Sequence, residues 1–575
     1  MTDKSESKLE LAPNHRHTTI ELVGVSEGAV RISRSRLVVA VTVFTLCFVV
    51  LAGRLVYLSV SGDPSNPKVT RAEVTSGAHG ERAPIVDRNG LLLAGNLVTA
   101  SLYADARVID NPNAVMRRLA DVLPDLNVKD AAAKLKSKRA FVWLKRNLTP
   151  REQQDVNDLG IPGLAFEYAE RRIYPHGGLA AHVLGFTDID NRGIAGVEQY
   201  FDQELRDRAR SGKPLALSLD IRVQHALRDE LAGAMAKFSA LGAAGVVVDV
   251  RTGEVVAMSS LPDFDPNHPN SMPKDNRFNR ATKGVYELGS VFKAFTIAMA
   301  LDTGTVSMSS EYDARRPIKI SGFRIRDDHA KNRWLSVPEI FMYSSNIGAA
   351  KMAIDVGGVR QQEFMSRLGL LHRSSVELPE VGDPLLPPKW RKSSIMTIAF
   401  GHGIAVSPLQ MASGLSAVVN GGILLPATLL KKDLEEGVRG DRVLSRKTSD
   451  HMRRLLRLVV EKGTGRQAAI KGYLVGGKTG TAEKAGRRGY RRNALLTSFV
   501  AAFPMNAPKY VVYALMDEPK GIKETHGFAS AGWTAAPTAG RIIARIAPLL
   551  GVKPQDEDNE EMKNLLNVSL NGKRS

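Results

Sequence analysis

The 575-residue chain has one cysteine, Cys47, so no intrachain disulfide holds its fold and an exported domain would carry no thiol to oxidise. Inside its apolar run Cys47 reads as a small apolar filler. Nowhere do His, Cys, Asp and Glu fall at metal-ligand spacing, so no metal and no cofactor is expected. There are no internal repeats, which removes solenoid architectures. Only one long apolar run occurs, which removes multi-span membrane proteins, while 43% hydrophobic and 24% charged residues remove disordered and collagen-like chains. Acidic residues are in deficit, 60 against 79 basic, a net charge of +19. Such a charge suits nucleic acid, anionic lipid or another acidic polymer and does not choose among them. The length predicts two folded domains with connecting segments.

Topology narrows that choice. Leu37 to Gly53 reads "LVVAVTVFTLCFVVLAG" and, with Leu55 to Leu58, supplies roughly 20 apolar residues, enough for one membrane crossing. Arg31, Arg34 and Arg36 precede it, so the positive-inside rule places the N-terminus in the cytoplasm and the bulk of the chain outside. A mostly polar segment of 36 residues precedes the run and no A-x-A site closes it, which favours an uncleaved anchor at the inner (cytoplasmic) membrane over a signal peptide. Nucleic acid is therefore not an expected partner, whereas membrane lipid is.

The expected organisation is a disordered cytoplasmic tail (1–36), the anchor (37–58), a Ser/Gly/Pro-rich stalk (59–80), a mixed α/β module (81–213), a larger domain (214–552) and a disordered polar tail (553–575). In the first module "LVTASLYAD" reads as strand, and "NAVMRRLADVL" and "DAAAKLKSK" as amphipathic helices. In the second, Ala243–Val250 and Glu254–Ser259 form a predicted hairpin in which Gly253 takes a positive φ. Two more strands, "LLTSFVAAF" and "KYVVYALMD", flank the turn "PMNAP" before a final helix at "AGRIIARIAPLL". Strands at both ends with helices between them predict an α+β domain built on an antiparallel sheet.

In "ELGSVFKAFTIAMALDTG", Ser290 and Lys293 stand three residues apart in an apolar helical run. Positions i and i+3 share a helix face, so the amine reaches the hydroxyl. Val291, Phe292 and Phe295 disfavour the ammonium form, making Lys293 a base and Ser290 a nucleophile. The pattern S-x-x-K alone is weak, since it recurs at Ser5–Lys8, Ser65–Lys68 and Ser271–Lys274, and its plain reading is a lysine reaching toward the surface. Two other elements add to it. After Ser336 and Glu339, in capping-box spacing, come Ser344-Ser345-Asn346, able to relay a proton or orient an amide. "VGGKTGTAEK" holds the one K-T-G, Lys478-Thr479-Gly480, then Thr481. These offer charge and hydroxyls to a carboxylate, and a glycine that admits a close backbone.

The ordered set S-x-x-K, S-x-N, K-T-G resembles that of penicillin-binding proteins and β-lactamases. "GERAPIVDRNGLLLA" (80–94) and "RRIYPHGGLAAHVLGFTDIDNRGIAGVEQYFDQEL" (171–205) look like the segments that open and close the pedestal module of class B penicillin-binding proteins; "FGHGIAVSPLQMA" and "AGWTAAPT" match that family too. The resemblance implies a penicillin-recognising serine transpeptidase domain, preceded by a pedestal and one transmembrane helix. That domain would cross-link peptidoglycan stem peptides through an acyl-serine. It further implies Ser290 as nucleophile, Lys293 as base, Ser344 and Asn346 assisting proton transfer and positioning the donor, and Lys478, Thr479 and Thr481 holding the terminal carboxylate along the Gly480 strand. The backbone amides of Ser290 and Thr481 would form the oxyanion hole.

The implied partners are stem peptides, β-lactams, a glycan polymerase and other division proteins. Asn346, where elongation-type relatives carry Asp, favours the division type over the elongation type. No E-x-x-L-N element lies between Asn346 and Lys478, which argues against a β-lactamase, and intact motifs argue against a non-catalytic sensor. Ala83, Ala501, Ala502 and His402 depart from the family pattern, and His402 reads as structural. The basic stretch 485–494, "AGRRGYRRNA", is expected to be a loop, either a solvated face or a contact for anionic wall precursor or lipid.

Overall fold

The computed structural model describes residues 38–39, 41–53, 82–271, 273–432, 439–486, 489–556, 560 and 566–568. The expected tail 1–36 and stalk 59–80 lie outside them, as does part of the expected anchor. Residues 38–39 and 41–53 are helical with exposed apolar side chains. Their Thr42 and Thr45 hydroxyls donate to carbonyls one turn back, at Val38 and Val41. Among the described residues no helix is long and apolar enough to cross a membrane.

Residues 76–575 form a separate unit. Its first sheet contains β1 (Ile85–Val86), β2 (Leu92–Ala104), β3 (Val142–Leu148), β4 (Leu164–Ile173) and β5 (Leu215–Ala216). The long β2 pairs antiparallel with β4 from Gly95↔Ile173 to Ala104↔Leu164 and with β3 on its other edge. Both expected helices form, over Pro112–Val122 and Val128–Lys136, each begun by an asparagine whose side chain accepts a backbone N–H of the first turn. They close a small core of Leu102, Leu119, Leu135, Leu148 and Val156.

At the root of this sheet Glu198 is fully buried between two guanidiniums, Arg82 Nε at 2.6 Å and Arg172 Nε at 2.7 Å. Arg82 also reaches Asp202 at 2.6 Å, and Arg172 donates to Ala83 O. The two family-like segments at 80–94 and 171–205 are thus one ionic joint. A buried charge survives only when its partners are buried with it.

The second sheet is fully antiparallel. With β6 (Gly242–Asp249), β7 (Val255–Leu261), β8 (Gly476–Gly486), β9 (Gly489–Phe503) and β10 (Tyr510–Asp517), its order is β8-β9-β10-β6-β7. The β6–β7 hairpin turns through Gly253 at φ +76°, where a Cβ would stand 2.4 Å from Pro426 O. Strand alternation sorts side chains to two cores, with Val246, Val248, Val511 and Tyr513 on one face and Val247, Val512 and Ala514 on the other. Burial on both faces explains why "KYVVYALMD" is apolar throughout. Helices α1 (Ile221–Lys237) and α2 (Ala535–Leu549) pair across one face; Pro408–Val419 covers the other.

Two expectations need correction. The basic stretch 485–494 is no loop: its described residues continue β8 and β9, with Ala485 opposite Tyr490 and Lys484 opposite Arg491. Cross-strand pairing extends the hairpin because Lys484 and Arg491 find Glu518, at 3.1 Å each. The segment after Val552 is not wholly disordered either. Gln555 N donates to Gly472 O at 2.8 Å, and Leu566 is buried in the larger core, because an apolar side chain in a polar tail still gains by leaving water.

Candidate active site

Ser290 lies in a 3-10 turn, Gly289–Phe292, that runs into a helix at Lys293–Asp302. The expected helical run thus opens with a tighter turn at Ser290, and the Lys293 amine still reaches the Ser290 hydroxyl. Gly289 sits at φ +61°, and a Cβ there would meet Thr481 O at 2.7 Å; the turn is pressed against the K-T-G strand, and only a bare Cα fits. Gly480 answers it from the strand side, where a Cβ would stand 2.4 Å from Leu288 O and 2.9 Å from Val291 Cγ1. The glycine of K-T-G thus makes room for the serine turn.

Lys293 is completely buried. Its Nζ lies 2.8 Å from Ser290 Oγ, 2.6 Å from Ser344 O, 2.7 Å from Asn346 Oδ1 and 3.0 Å from Ser344 Oγ. A neutral amine donates twice and accepts once. Ser344 O and Asn346 Oδ1 only accept, which leaves the nitrogen lone pair for the Ser290 hydroxyl proton. Burial lowers the Lys293 pKa to about 7, against the opposing pull of Asp327 and Asp328. The amine beside the serine is therefore substantially uncharged at neutral pH.

Ser344 takes φ +61° in the short connection between Val337–Met342 and Asn346–Val356. The first of these helices opens as the sequence suggests, with the Glu339 carboxylate accepting from Ser336 N at 3.1 Å. Lys478 Nζ reaches Ser344 Oγ at 3.0 Å, so one hydroxyl bridges the two lysines. Lys478 is fully buried, 5.9 Å from the centre of the Phe341 ring, and its pKa is lowered strongly, first by burial and then by the neighbouring Lys293. Thr479 Oγ1 shares a hydrogen with Thr464 Oγ1 at 2.7 Å, and Thr481 Oγ1 accepts from Ala531 N at 3.0 Å. Strand β8 is an edge strand, the kind of edge to which an extended peptide adds as a further strand.

The eight candidate residues, drawn from three regions of the chain, thus come together where the Ser290 turn, the 344–346 connection and strand β8 meet. Phe341, Thr464 and Ala531 join them through long-range contacts with Lys478, Thr479 and Thr481; of the three only Ala531 lies in a segment matched to the family from sequence, AGWTAAPT, and none was expected as a site residue. His402 packs tilted against Phe400 and edge-on against Tyr490, with ring centroids 5.3 and 5.6 Å away, and Tyr490 donates to Glu287 at 2.9 Å. Among the described residues no acidic or histidine cluster could hold a metal ion.

Comparison with known proteins identifies the family. A model of the penicillin binding protein transpeptidase domain matches residues 243–543, and one of the penicillin-binding protein dimerisation domain matches residues 78–213. The chain belongs to the class B penicillin-binding proteins. It is 44% identical over 494 residues to a Caulobacter vibrioides protein named probable peptidoglycan D,D-transpeptidase FtsI, covering 84% of this chain and 83% of that one. Against the Escherichia coli K12 peptidoglycan D,D-transpeptidase FtsI it is 30% identical over 550 residues, covering 88% and 91%. Penicillin binding protein 3 of Mycobacterium tuberculosis, solved with aztreonam, shares the fold at TM-score 0.66 and 24% identity, over 83% of this chain and 98% of that one. The transpeptidase domain of penicillin-binding protein 3 from Burkholderia pseudomallei aligns at TM-score 0.53 and 32% identity, over 59% and 98%.

Proposed function

We propose that this class B penicillin-binding protein is a division-specific peptidoglycan D,D-transpeptidase, anchored to the cytoplasmic membrane by the segment 37–58, with its catalytic domain outside. The observation that carries the reading is the buried Lys293 amine, 2.8 Å from Ser290 Oγ and poised near pH 7. Lys293 takes the Ser290 proton while Oγ attacks the carbonyl carbon of the penultimate D-alanine in a donor stem peptide. Oxygen charge develops toward the backbone amides of Ser290 and Thr481. As the C–N bond breaks, the proton passes from Lys293 through the Ser344 hydroxyl to the departing D-alanine nitrogen. An amine of a neighbouring stem peptide then attacks the acyl-serine and loses its proton to the same relay, and Lys293 returns a proton to Ser290 Oγ as the ester C–O bond breaks.

The second lysine gives the substrate a hand in this. A donor carboxylate beside Lys478, Thr479 and Thr481 favours the charged form of Lys478. That ammonium, one hydroxyl away from Lys293, disfavours a second positive charge and drives Lys293 to the neutral base. Binding and activation of the base are coupled through Ser344. A β-lactam presents a carboxylate and a strained carbonyl to the same groups and acylates Ser290. Stem peptides, β-lactams, a glycan polymerase and other division proteins are the partners this reading implies.

Mass spectrometry of the full-length protein treated with benzylpenicillin tests it. A stable adduct on Ser290, absent from Ser290→Ala, is expected. Modification at another residue would overturn the assignment, and rapid release of hydrolysed drug would make the protein a β-lactamase.

A further inference from the structure

The S-x-N motif reaches Lys293 from the end of a helix, and something must hold that end in place. Immediately after the short strand Phe323–Ile325, two consecutive residues grip it. Asp327 Oδ2 accepts from Ser345 Oγ at 2.7 Å, Asp327 Oδ1 accepts from Ile347 N at 2.9 Å, and Arg326 O accepts from Asn346 Nδ2 at 2.8 Å. Residues 345, 346 and 347 are thus each tied to a dipeptide about twenty positions earlier in the chain.

We propose that the Arg326-Asp327 pair is the positioning element of the proton-transfer site. It fixes which end of the Asn346 amide faces Lys293 and holds the Ser344 hydroxyl at its bridging place. The argument is one of directionality. An amide offers two chemically opposite ends. With Nδ2 committed to Arg326 O, Oδ1 is the end turned to Lys293, 2.7 Å away. Were the amide reversed, its NH2 would face the amine and compete for the lone pair that the Ser290 proton requires. The Asp327 carboxylate draws in the Ser345 hydroxyl and leaves that oxygen free to accept from Gly348 N at 3.0 Å, so one chain of hydrogen bonds runs from Asp327 into the first turn of the helix. Ser344, the preceding residue, holds a left-handed conformation uncommon for serine, and the anchored helix start supports it.

The same carboxylate acts on Lys293 at longer range. Asp327 and Asp328 from the loop act on this amine, and Lys293 in turn lowers the pKa of Lys478 on β8 and of His402 in the 400–404 turn. The two aspartates alone favour its protonation. Asp328 is exposed and Asp327 half-buried, so water screens Asp328 more. A carboxylate that only capped the helix would add stability and leave the chemistry alone.

The inference rests on Ser290 and Lys293 acting as proposed above, and the test separates the two. The rate of acylation of the full-length protein by a fluorescent penicillin is measured from pH 5 to 9 for wild type, Asp327→Asn, Asp327→Ser and Asp328→Asn, with thermal midpoints recorded. Asparagine and serine each keep an oxygen that can accept from Ile347 N, and the thermal midpoints show which variants stay folded. Both position-327 variants are expected to lose on the order of 10- to 100-fold in plateau rate through misplacement of the amide and hydroxyl. Their acid limb should move to lower pH by about one pH unit, because a nearby carboxylate no longer favours the ammonium form. Asp328→Asn should keep the wild-type plateau. Position-327 variants with lowered thermal midpoints but wild-type plateau and limb would reduce Asp327 to a cap and overturn the inference. Absence of labelling in the wild type would instead strike the reading of Ser290.

Discussion

Replacing Lys293 by methionine should make this protein more stable at neutral pH while abolishing acylation. Lys293 is fully buried, and its pKa falls from the ordinary 10.5 to about 7. A depression of about 3.5 pH units corresponds to about 5 kcal/mol held against the charged form in the folded state. The unfolded chain keeps this proton up to about pH 10.5, whereas the folded one releases it near 7. Between those values the unfolded state binds more protons, so wild-type stability rises with pH; below pH 7 the whole penalty is present. Methionine keeps the unbranched length and does not titrate. It forfeits the amine's bonds to Ser344 O, Asn346 Oδ1 and Ser290 Oγ, roughly 1 kcal/mol each. The balance is about 2 kcal/mol in favour of methionine at pH 7, falling to zero somewhat above pH 8 and reversing by pH 10. Thermal unfolding midpoints of the two proteins at matched pH from 6 to 10, alongside penicillin labelling, follow this directly. A methionine variant less stable than wild type at pH 6 and 7, or a difference that does not change with pH, would refute the argument that a neutral, desolvated amine sits beside the serine.

Gly289→Ala forces a side chain into the left-handed region, costing about 1–2 kcal/mol, and drives its Cβ against Thr481 O, 2.7 Å away. Acylation of that variant, timed with fluorescent penicillin, should slow at least tenfold, and an unchanged rate would show that the two elements separate freely. Glu198→Ala leaves Arg82 and Arg172 buried without their shared carboxylate and should cost about 3–5 kcal/mol, read from chemical denaturation; a loss under about 1 kcal/mol would show that the ionic joint is not structural. A D-Ala-D-Ala donor peptide whose terminal carboxylate is converted to an amide should react about 10- to 100-fold more slowly with wild type. With Lys478→Gln the two peptides should react at similar, low rates, and an undiminished preference for the carboxylate would remove Lys478 from its recognition.

Legibility in the sequence followed the range of the forces involved. Strand pairs such as β6–β7, with their glycine turn, and the antiparallel sheet were readable because alternation and turn chemistry are local signals. Ser290 and Lys293 were readable because their meeting needs only one turn of chain. That Ser344 bridges two lysines was not, since the bridge depends on β8 arriving beside the 344–346 connection from 134 positions away. The glycine of K-T-G was read for the substrate, yet its missing Cβ is claimed by Leu288 and Val291, a steric fact visible only in three dimensions. The basic stretch at 485–494 looked like a loop because Glu518, the partner of its Arg491 and of the preceding Lys484, lies just past the end of a strand paired on β9. Asp327 carries no motif at all. One of the two adjacent aspartates in "IRDDHAKN" acquires meaning only through Ser345 and Ile347.

The most direct test of the account is the pH dependence of Ser290 acylation itself. The second-order rate of acylation of the full-length protein by benzylpenicillin, measured across pH 5 to 10, should rise with an acid limb centred at about 7, the value burial imposes on Lys293. A rate that climbs only toward pH 10, or shows no limb attributable to a single group near neutrality, would contradict the claim that an uncharged lysine takes the serine proton.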